Sequence, residues 1–323
     1  LTHINLKLCD GSDANETAVK IARKHTGRPT IISFKHGHTG QTTQTIQLRG
    51  YHRDPKLLIG NTEDVIFVDP PECADPTDYA GTVEELERII RNRSSIAGIL
   101  MDPMMVNAGV RVNEGTRSYL RQVEQLCRKA GIIFILDENQ SFGWLEGIFA
   151  TNYFGLNPDI LTLGKGLAGG YPLAGVIVRE SLKDVLSYNE ADFTNGGNPT
   201  SCAAAYACMD TLQRIDFAIG SKMKCVTEKI QHIRSCSPIQ FVHRGVGLIH
   251  CLEITEGGHA ESKRIADQLY RACLQNGLFL RQYGNKLIIK PPIIVTYDEI
   301  DTAFQILYRQ FAGVARADAG KRQ

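Results

Sequence analysis

The chain has 323 residues, 43% hydrophobic and 22% charged, which describes a globular protein able to bury a sizeable core as one large domain with a smaller companion. Its 36 basic and 35 acidic side chains leave a formal charge of +1, so nothing electrostatic points to nucleic acid or an anionic membrane as a partner. Nine cysteines without CxxC spacing read as reduced thiols of a cytoplasmic compartment, not as a disulfide scaffold or metal site. No apolar run has the length of a membrane span, and Leu1–Asp10 lacks the basic start and long apolar core of a signal peptide.

In chain order, Ile4–Leu8 reads as a strand and Asp13–Lys24 as a helix, with Asp13 and Glu16 in a capping-box pattern. Pro29–Phe34 is the next strand, followed by a polar loop over His36–Gln44 and a stretch without clear period over 45–62. Val65–Val68 is a strand, 69–81 a link rich in Pro and Asp, and Thr82 with Glu85 caps a helix to about Arg93. Ile96–Met101 is a strand, Asn113–Ala130 a helix, and Gly131–Asp137 a buried-strand pattern that ends in an acid. Ile160–Leu163 and Leu173–Val178 are further apolar runs, and two long helices follow, Thr200–Arg214 and Phe217–Ser235.

From Ile239 the pattern changes to strands Ile239–His243 and Leu248–Ile254, a helix over Glu261–Gln275, and short strands near Leu278–Arg281 and Lys286–Ile289. Thr296 and Glu299 cap a last helix to about Phe311, and Ala312–Gln323 reads as a frayed tail. The alternation predicts an α/β fold. Residues 1–236 form a mainly parallel sheet flanked by helices, with sites at the carboxyl ends of its strands, and 237–323 form a smaller α+β C-terminal domain.

Lys165 stands between Gly164 and Gly166 at the end of the Ile160–Leu163 strand, where glycines let a large flat partner approach the backbone. A desolvated lysine there is costly to keep charged, so its pKa is expected to fall, which suits Schiff-base formation with an aldehyde. Alone, this segment reads first as a surface lysine in a glycine-rich turn. Asp137 lies 28 positions earlier, also at a strand end. An acid and a lysine at adjacent strand ends are what a pyridoxal phosphate site requires: the lysine holds the aldehyde carbon and the carboxylate the pyridinium nitrogen.

Three stretches, DENQSFGWLEG (Asp137–Gly147), NPDILTLGKGLAGGYPLAGVIV (Asn157–Val178) and FTNGGNPTSCAAA (Phe193–Ala205), resemble the signature blocks of the class III aminotransferases, in the family's order. The resemblance covers nearly the whole chain. It implies the aspartate-aminotransferase fold, the cofactor pyridoxal 5'-phosphate, Lys165 as the Schiff-base lysine and proton shuttle, and Asp137 as the partner of the ring nitrogen. Gln140 matches the glutamine that hydrogen-bonds the cofactor's phenolic oxygen, and Asn139 stands where the family usually has Val. Asp10-Gly11-Ser12-Asp13-Ala14-Asn15-Glu16 matches a Ser-Gly-Ser/Thr-Glu-Ala-Asn-Glu motif, with Asp for Ser at 10 and Asp for Glu at 13 as departures. Gly11 and Ser12 thereby become the phosphate seat at a helix N-terminus. Thr194 matches a threonine that reaches the phosphate of the partner subunit, which implies a homodimer with shared sites.

Further matches are looser. His36-Gly37-His38-Thr39 resembles a Tyr-His-Gly block whose aromatic ring stacks on the cofactor. Lys35 holds the tyrosine's place, so stacking is expected from His36 or Phe34, or is lost. Asp102-Pro103 replaces a Glu-Pro pair and either alters substrate gating or forms a strand-end turn. Ile288 falls where many members place an arginine that grips a substrate carboxylate. Arg281, Lys286 or Lys290 either compensates or forms a solvated basic face, and the amine substrate is then not a simple α-amino acid held at that spot. Class III enzymes carry a further N-terminal segment before Leu1, so the chain is expected to be a fragment or a truncated gene product.

The expected activity is transfer of an amino group between an amine or amino-acid donor and a carbonyl acceptor through a Lys165 internal aldimine. The same residues also serve an aminomutase or racemase, and a non-catalytic relative acting as a binding or scaffold protein is a third reading. A dinucleotide dehydrogenase is disfavoured because no G-x-G-x-x-G follows the first strand.

Overall fold

The computed structural model describes residues 1–60, 62–73, 75 and 78–319, with the backbone alone at 216–218 and 314–319. Its first elements are β1 (His3–Leu8), α1 (Gly11–Thr26), β2 (Thr30–Phe34), α2 (Thr43–Leu48), β3 (Val65–Val68), α3 (Tyr79–Asn92), β4 (Ile96–Met101) and α4 (Thr116–Ala130). There follow β5 (Ile133–Asp137), α5 (Ala150–Phe154), β6 (Ile160–Leu163), β7 (Ala174–Val178) and α6 (Pro199–Cys236). The last are β8 (Phe241–Val246), β9 (Ile249–Ile254), α7 (His259–Gln275), β10 (Arg281–Tyr283), β11 (Lys286–Ile289) and α8 (Tyr297–Ala319). Two compact units result: Leu1–Gly143 with Gly147–Arg214, and Trp144–Glu146 with Ile215–Gln323. No helix among the described residues is long and apolar enough to cross a membrane.

The first unit is a seven-stranded sheet in the order β1-β7-β6-β5-β4-β2-β3. The pairs from β6 to β3 are parallel, and β7 runs antiparallel to both of its neighbours. Strands buried on both faces need apolar runs, which IAGILM in β4 and ILTL in β6 supply. Helix α1 packs across β4–β7, and the small buried Ala14, Ala18 and Ala22 on one face let it lie close to Ile135, Ile160 and Val176. Parallel pairing sets Asp137 beside Thr162, so the carboxyl ends of β5 and β6 lie side by side.

The second unit is a four-stranded antiparallel sheet, β10-β11-β9-β8. Its core joins Leu252, Ile254 and Leu287 to Ile265 and Leu269 of α7, Phe304 and Phe311 of α8, and Ile230 and Ile233 of α6. Trp144 belongs here, its indole N–H donating to the Pro291 carbonyl at 2.8 Å.

Several local expectations are corrected. The capping box of α1 is Asp10–Asp13, not Asp13–Glu16: the helix starts at Gly11, and Asp10 takes the cap with extended backbone. Helix α2 lies where no period was visible, because six residues make under two turns. The two expected helices after Pro199 are one, since Ile215 and Asp216 offer no proline or glycine to stop it. The units therefore divide inside α6, at Arg214 and Ile215, upstream of the boundary expected near 236. Helix α8 runs on to Ala319 where a frayed tail was expected from Ala312, while 320–323 and parts of the 69–81 link lie outside the described residues.

Two histidines in the second unit are held neutral. His243 Nε2 lies 3.0 Å from His250 Nδ1, and His250 Nε2 lies 3.0 Å from the Gly247 carbonyl. Because a carbonyl only accepts, His250 donates from Nε2 and accepts from His243 at Nδ1. Burial and the charges of Arg234 and Arg244 push His243 down to about 4, while burial and His243 push His250 down to about 3. Both groups charge more readily unfolded than folded, so their contribution is full above about pH 6.5 and is lost as pH falls toward 4. Stability in urea unfolding, followed by the fluorescence of Trp144, the single tryptophan, is expected to fall by about 5 kcal/mol between pH 7 and 4.5, about half of it from each ring. A His243→Gln/His250→Gln variant should show a clearly flatter dependence; equal slopes would show that the pair is not the cause.

Candidate active site

The ends of β5 and β6 and the start of α1 converge on a cavity of about 290 Å³ in the first unit. Its wall includes Asp10, Gly11, Ser12, Asn15, Asp137 and Lys165, joined by Asn139, His38 and Tyr171. A larger basin of about 740 Å³ gathers Lys20, Arg23, Lys24 and Arg28 with Glu190, but it holds no lysine and acid at neighbouring strand ends.

Asp137 is buried, 5% exposed, and a carboxylate there needs donors. Asn139 supplies two to Oδ1, its backbone N–H at 2.9 Å and its Nδ2 at 2.7 Å. Asn15 Nδ2 donates to Oδ2 at 2.7 Å and to the Thr39 carbonyl at 2.8 Å, and its own Oδ1 accepts from Thr162 Oγ1 at 2.7 Å. A carboxylate offers about four lone-pair sites, so these three donors leave roughly one, on Oδ2. That oxygen accepts from Asn15 of α1, itself held by the Thr162 hydroxyl, while Asn139 fixes Oδ1, and Oδ2 is left with a site for a single cationic N–H.

Asn139 also explains the glycines. A Cβ built on Gly11 or on Gly164 would lie 2.5 Å from Asn139 Oδ1, so any side chain at either position would force the elements apart. Asn139 Oδ1 is buried and has no hydrogen-bond partner among the described residues.

Lys165 opens a short 3-10 turn directly after β6 and has φ +39°, left-handed backbone for a residue with a side chain. Its side chain is exposed, and it shares the cavity with Tyr171 and Leu173. At the mouth of α1, Asp10 Oδ1 accepts from the backbone N–H groups of Ser12 at 2.5 Å and Asp13 at 3.3 Å. Asp13 Oδ2 in turn accepts from the N–H of Cys9 at 3.0 Å and of Asp10 at 3.3 Å.

The cavity therefore gathers Gly11, Ser12, Asp137 and Lys165 of the expected site. His36 is exposed, has left-handed backbone (φ 64°) and is not part of the cavity wall, whereas His38 is. His38 Nδ1 is held by the Tyr51 hydroxyl at 2.7 Å. Phe34 is buried in β2 and is also absent from the wall. Gln140 is buried beside Asn139 without lining the cavity, and Thr194 is exposed and likewise outside it. Asp102 makes the strand-end turn, accepting from Met104 N at 2.9 Å and Val106 N at 2.9 Å. Ile288 is buried in β11, Lys286 pairs with Glu253, and Lys290 and Arg281 lie over the Trp144 and Tyr283 rings. Missed by the sequence reading were Asn15, whose place in the first turn of a helix beside a buried acid was the available signal, and Glu138.

Glu138 is fully buried and accepts at 2.7 Å from Ala150 N, Thr151 N and Thr151 Oγ1, which ties the first turn of α5 to the end of β5 next to Asp137. Burial pushes its carboxyl up to about 7 against the pull of these donors, and Asp102 adds to the rise.

The sequence profile of the family described as aminotransferase class-III matches residues 6–311. An acetylornithine aminotransferase of Thermosynechococcus vestitus is 31% identical over 94% of this chain and 74% of its own. A 5-aminovalerate aminotransferase, DavT, of Pseudomonas putida is 30% identical over 96% and 75%. In fold, the chain matches an amine transaminase from an uncultivated Pseudomonas species in its PLP-bound form with a TM-score of 0.85, at 24% identity over 96% of this chain and 77% of that one. The chain belongs to the class III aminotransferases, pyridoxal-phosphate-dependent transaminases. The wall described above fits that cofactor at its ring end: it offers a lysine amine and a buried carboxylate with one open site.

Replacing Glu138 by Ala strands three buried donors and is expected to cost on the order of 3 kcal/mol. Urea unfolding followed by circular dichroism measures it, and an unshifted midpoint would show that α5 does not depend on this anchor.

Proposed function

We propose that Lys165 and Asp137 carry the transamination and that Gly11 and Ser12 seat the phosphate. The reading rests above all on Asp137 Oδ2, a buried carboxylate oxygen left with one open site in the cavity that Lys165 enters. When bound, pyridoxal phosphate supplies an aldehyde carbon that takes up amines and a ring that draws off electrons. Lys165 Nζ holds that carbon at rest and, once freed, carries a proton at Nζ between two positions of the substrate-bearing end. Asp137 keeps a proton on the ring nitrogen through Oδ2, with Asn15 and Asn139 holding the carboxylate still. His38, braced by Tyr51, takes the stacking role expected of His36, and Gln140 lies close enough in sequence to Asp137 to serve the phenolic oxygen.

The donor is proposed to carry a terminal amine. Two observations favour this: Ile288 is neutral where the family resemblance puts an anion-gripping arginine, and two relatives are named for acetylornithine and 5-aminovalerate. Thr194, exposed on this chain, is proposed to reach the phosphate of a second copy in a homodimer. A thiol-reducing, cytoplasmic compartment agrees with nine cysteines that are all free.

Incubation with pyridoxal phosphate should give the parent a yellow absorbance band that Lys165→Ala loses. Addition of 5-aminovalerate or acetylornithine should bleach it and release a carbonyl product on a single turnover, faster than alanine does. Loss of the band without a carbonyl product would favour the racemase or aminomutase outcome. Identical spectra for parent and Lys165→Ala would overturn the assignment of Lys165.

A further inference from the structure

The start of α1 carries an acid where the phosphate of the cofactor is to sit. Of the N–H groups in its first turn, Asp10 Oδ1 already holds those of Ser12 at 2.5 Å and Asp13 at 3.3 Å. The turn is closed from the other side by Asp13, which accepts from Cys9 and Asp10. Among the residues lining the cavity, Lys165 is the one lysine or arginine, while Asp10 and Asp137 are carboxylates. The Cys9 thiol in the same wall feels this field: burial first, then Asp13 and Asp10, push it up. Asn139, also in this wall, is 5% exposed, and its Oδ1 lies against Gly11 at the start of α1 with no hydrogen-bond partner among the described residues.

We propose that Asp10 is a specificity-determining residue that loosens this chain's hold on the phosphate-bearing form of the cofactor. It does so by occupying the helix N–H groups the phosphate needs and by placing a carboxylate beside them. The inference rests on the phosphate seat at Gly11 and Ser12. A phosphate monoester carries a charge of about −1.5 to −2 near neutral pH and competes for the same donors as the cap. Asp10 is exposed, so its side chain can swing into solvent when the phosphate arrives, but the cap is then broken and the two anions remain close. A neutral cap removes the repulsion and keeps the helix start, since Asn and Ser cap as well as Asp.

The test is a gain of affinity. Apo-protein, D10N and D10S are titrated with pyridoxal phosphate and, separately, with pyridoxal, which lacks the phosphate, and binding is followed by absorbance and Trp144 fluorescence. Both variants should bind pyridoxal phosphate about tenfold more tightly than the parent and pyridoxal within twofold of it. Apo melting temperatures that stay together show that the fold is not the cause. An unchanged or weakened affinity for pyridoxal phosphate overturns the proposal, as does an equal gain for both ligands, which would make Asp10 a general obstacle and not a phosphate-specific one. If neither parent nor variants form a Lys165-dependent band with either ligand, the active-site reading itself fails, and the result is distinct from a band whose affinity ignores Asp10.

Discussion

A carboxylate cannot be buried without donors, and the arrangement around Asp137 follows from that requirement. Water is replaced by two side-chain amides and a backbone N–H, drawn from a helix and from the loop that follows the strand. Each donor must be held in turn, and so Asn15 is locked by Thr162 and the Thr39 carbonyl. The cost of this order is geometric: α1 and the end of β6 come so close to Asn139 that a side chain at 11 or 164 would displace its amide.

The parallel sheet makes the meeting possible. Strands that run the same way deliver their carboxyl ends to one edge, and the β5–β6 register sets Asp137 beside Thr162, three residues before Lys165. Strand β7 then turns back antiparallel, so the segment bearing the lysine is pinned at both ends by adjacent strands. Glu138 adds an anchor on the other flank, fastening α5 to the residue next to Asp137. The second unit contributes its own, separate core, in which hydrogen bonds between neutral histidines replace charge.

What the sequence disclosed was whatever depends on strand ends. Lys165 and Asp137 close apolar runs, and a residue that closes a buried parallel strand has little freedom in where it points. Which histidine of His36-Gly37-His38 borders the cavity is set by the path of the loop after β2, which a sequence pattern does not fix. The cap shifted from Asp13 to Asp10 because two acids three residues apart can each begin a helix, and only the extended backbone at Asp10 decides between them. The exposure of Lys165 was hidden for another reason: flanking glycines signal close backbone approach on one side and say nothing of what covers the other. Asn15 was visible as a letter in a motif, while its bond to Asp137 spans 122 positions and belongs to the tertiary structure alone.

Lys165 adopts φ +39°, a conformation that costs a side-chain-bearing residue roughly 1–2 kcal/mol relative to glycine. With the role proposed for Lys165, folding and chemistry pull in opposite directions at this position. A chain selected only to stay folded would carry glycine or asparagine there and gain stability, losing the amine. Laboratory evolution for heat resistance alone should accordingly drift toward a sturdier and inert protein at residue 165, and a screen that selects on melting temperature needs a second, functional filter to keep the lysine in place.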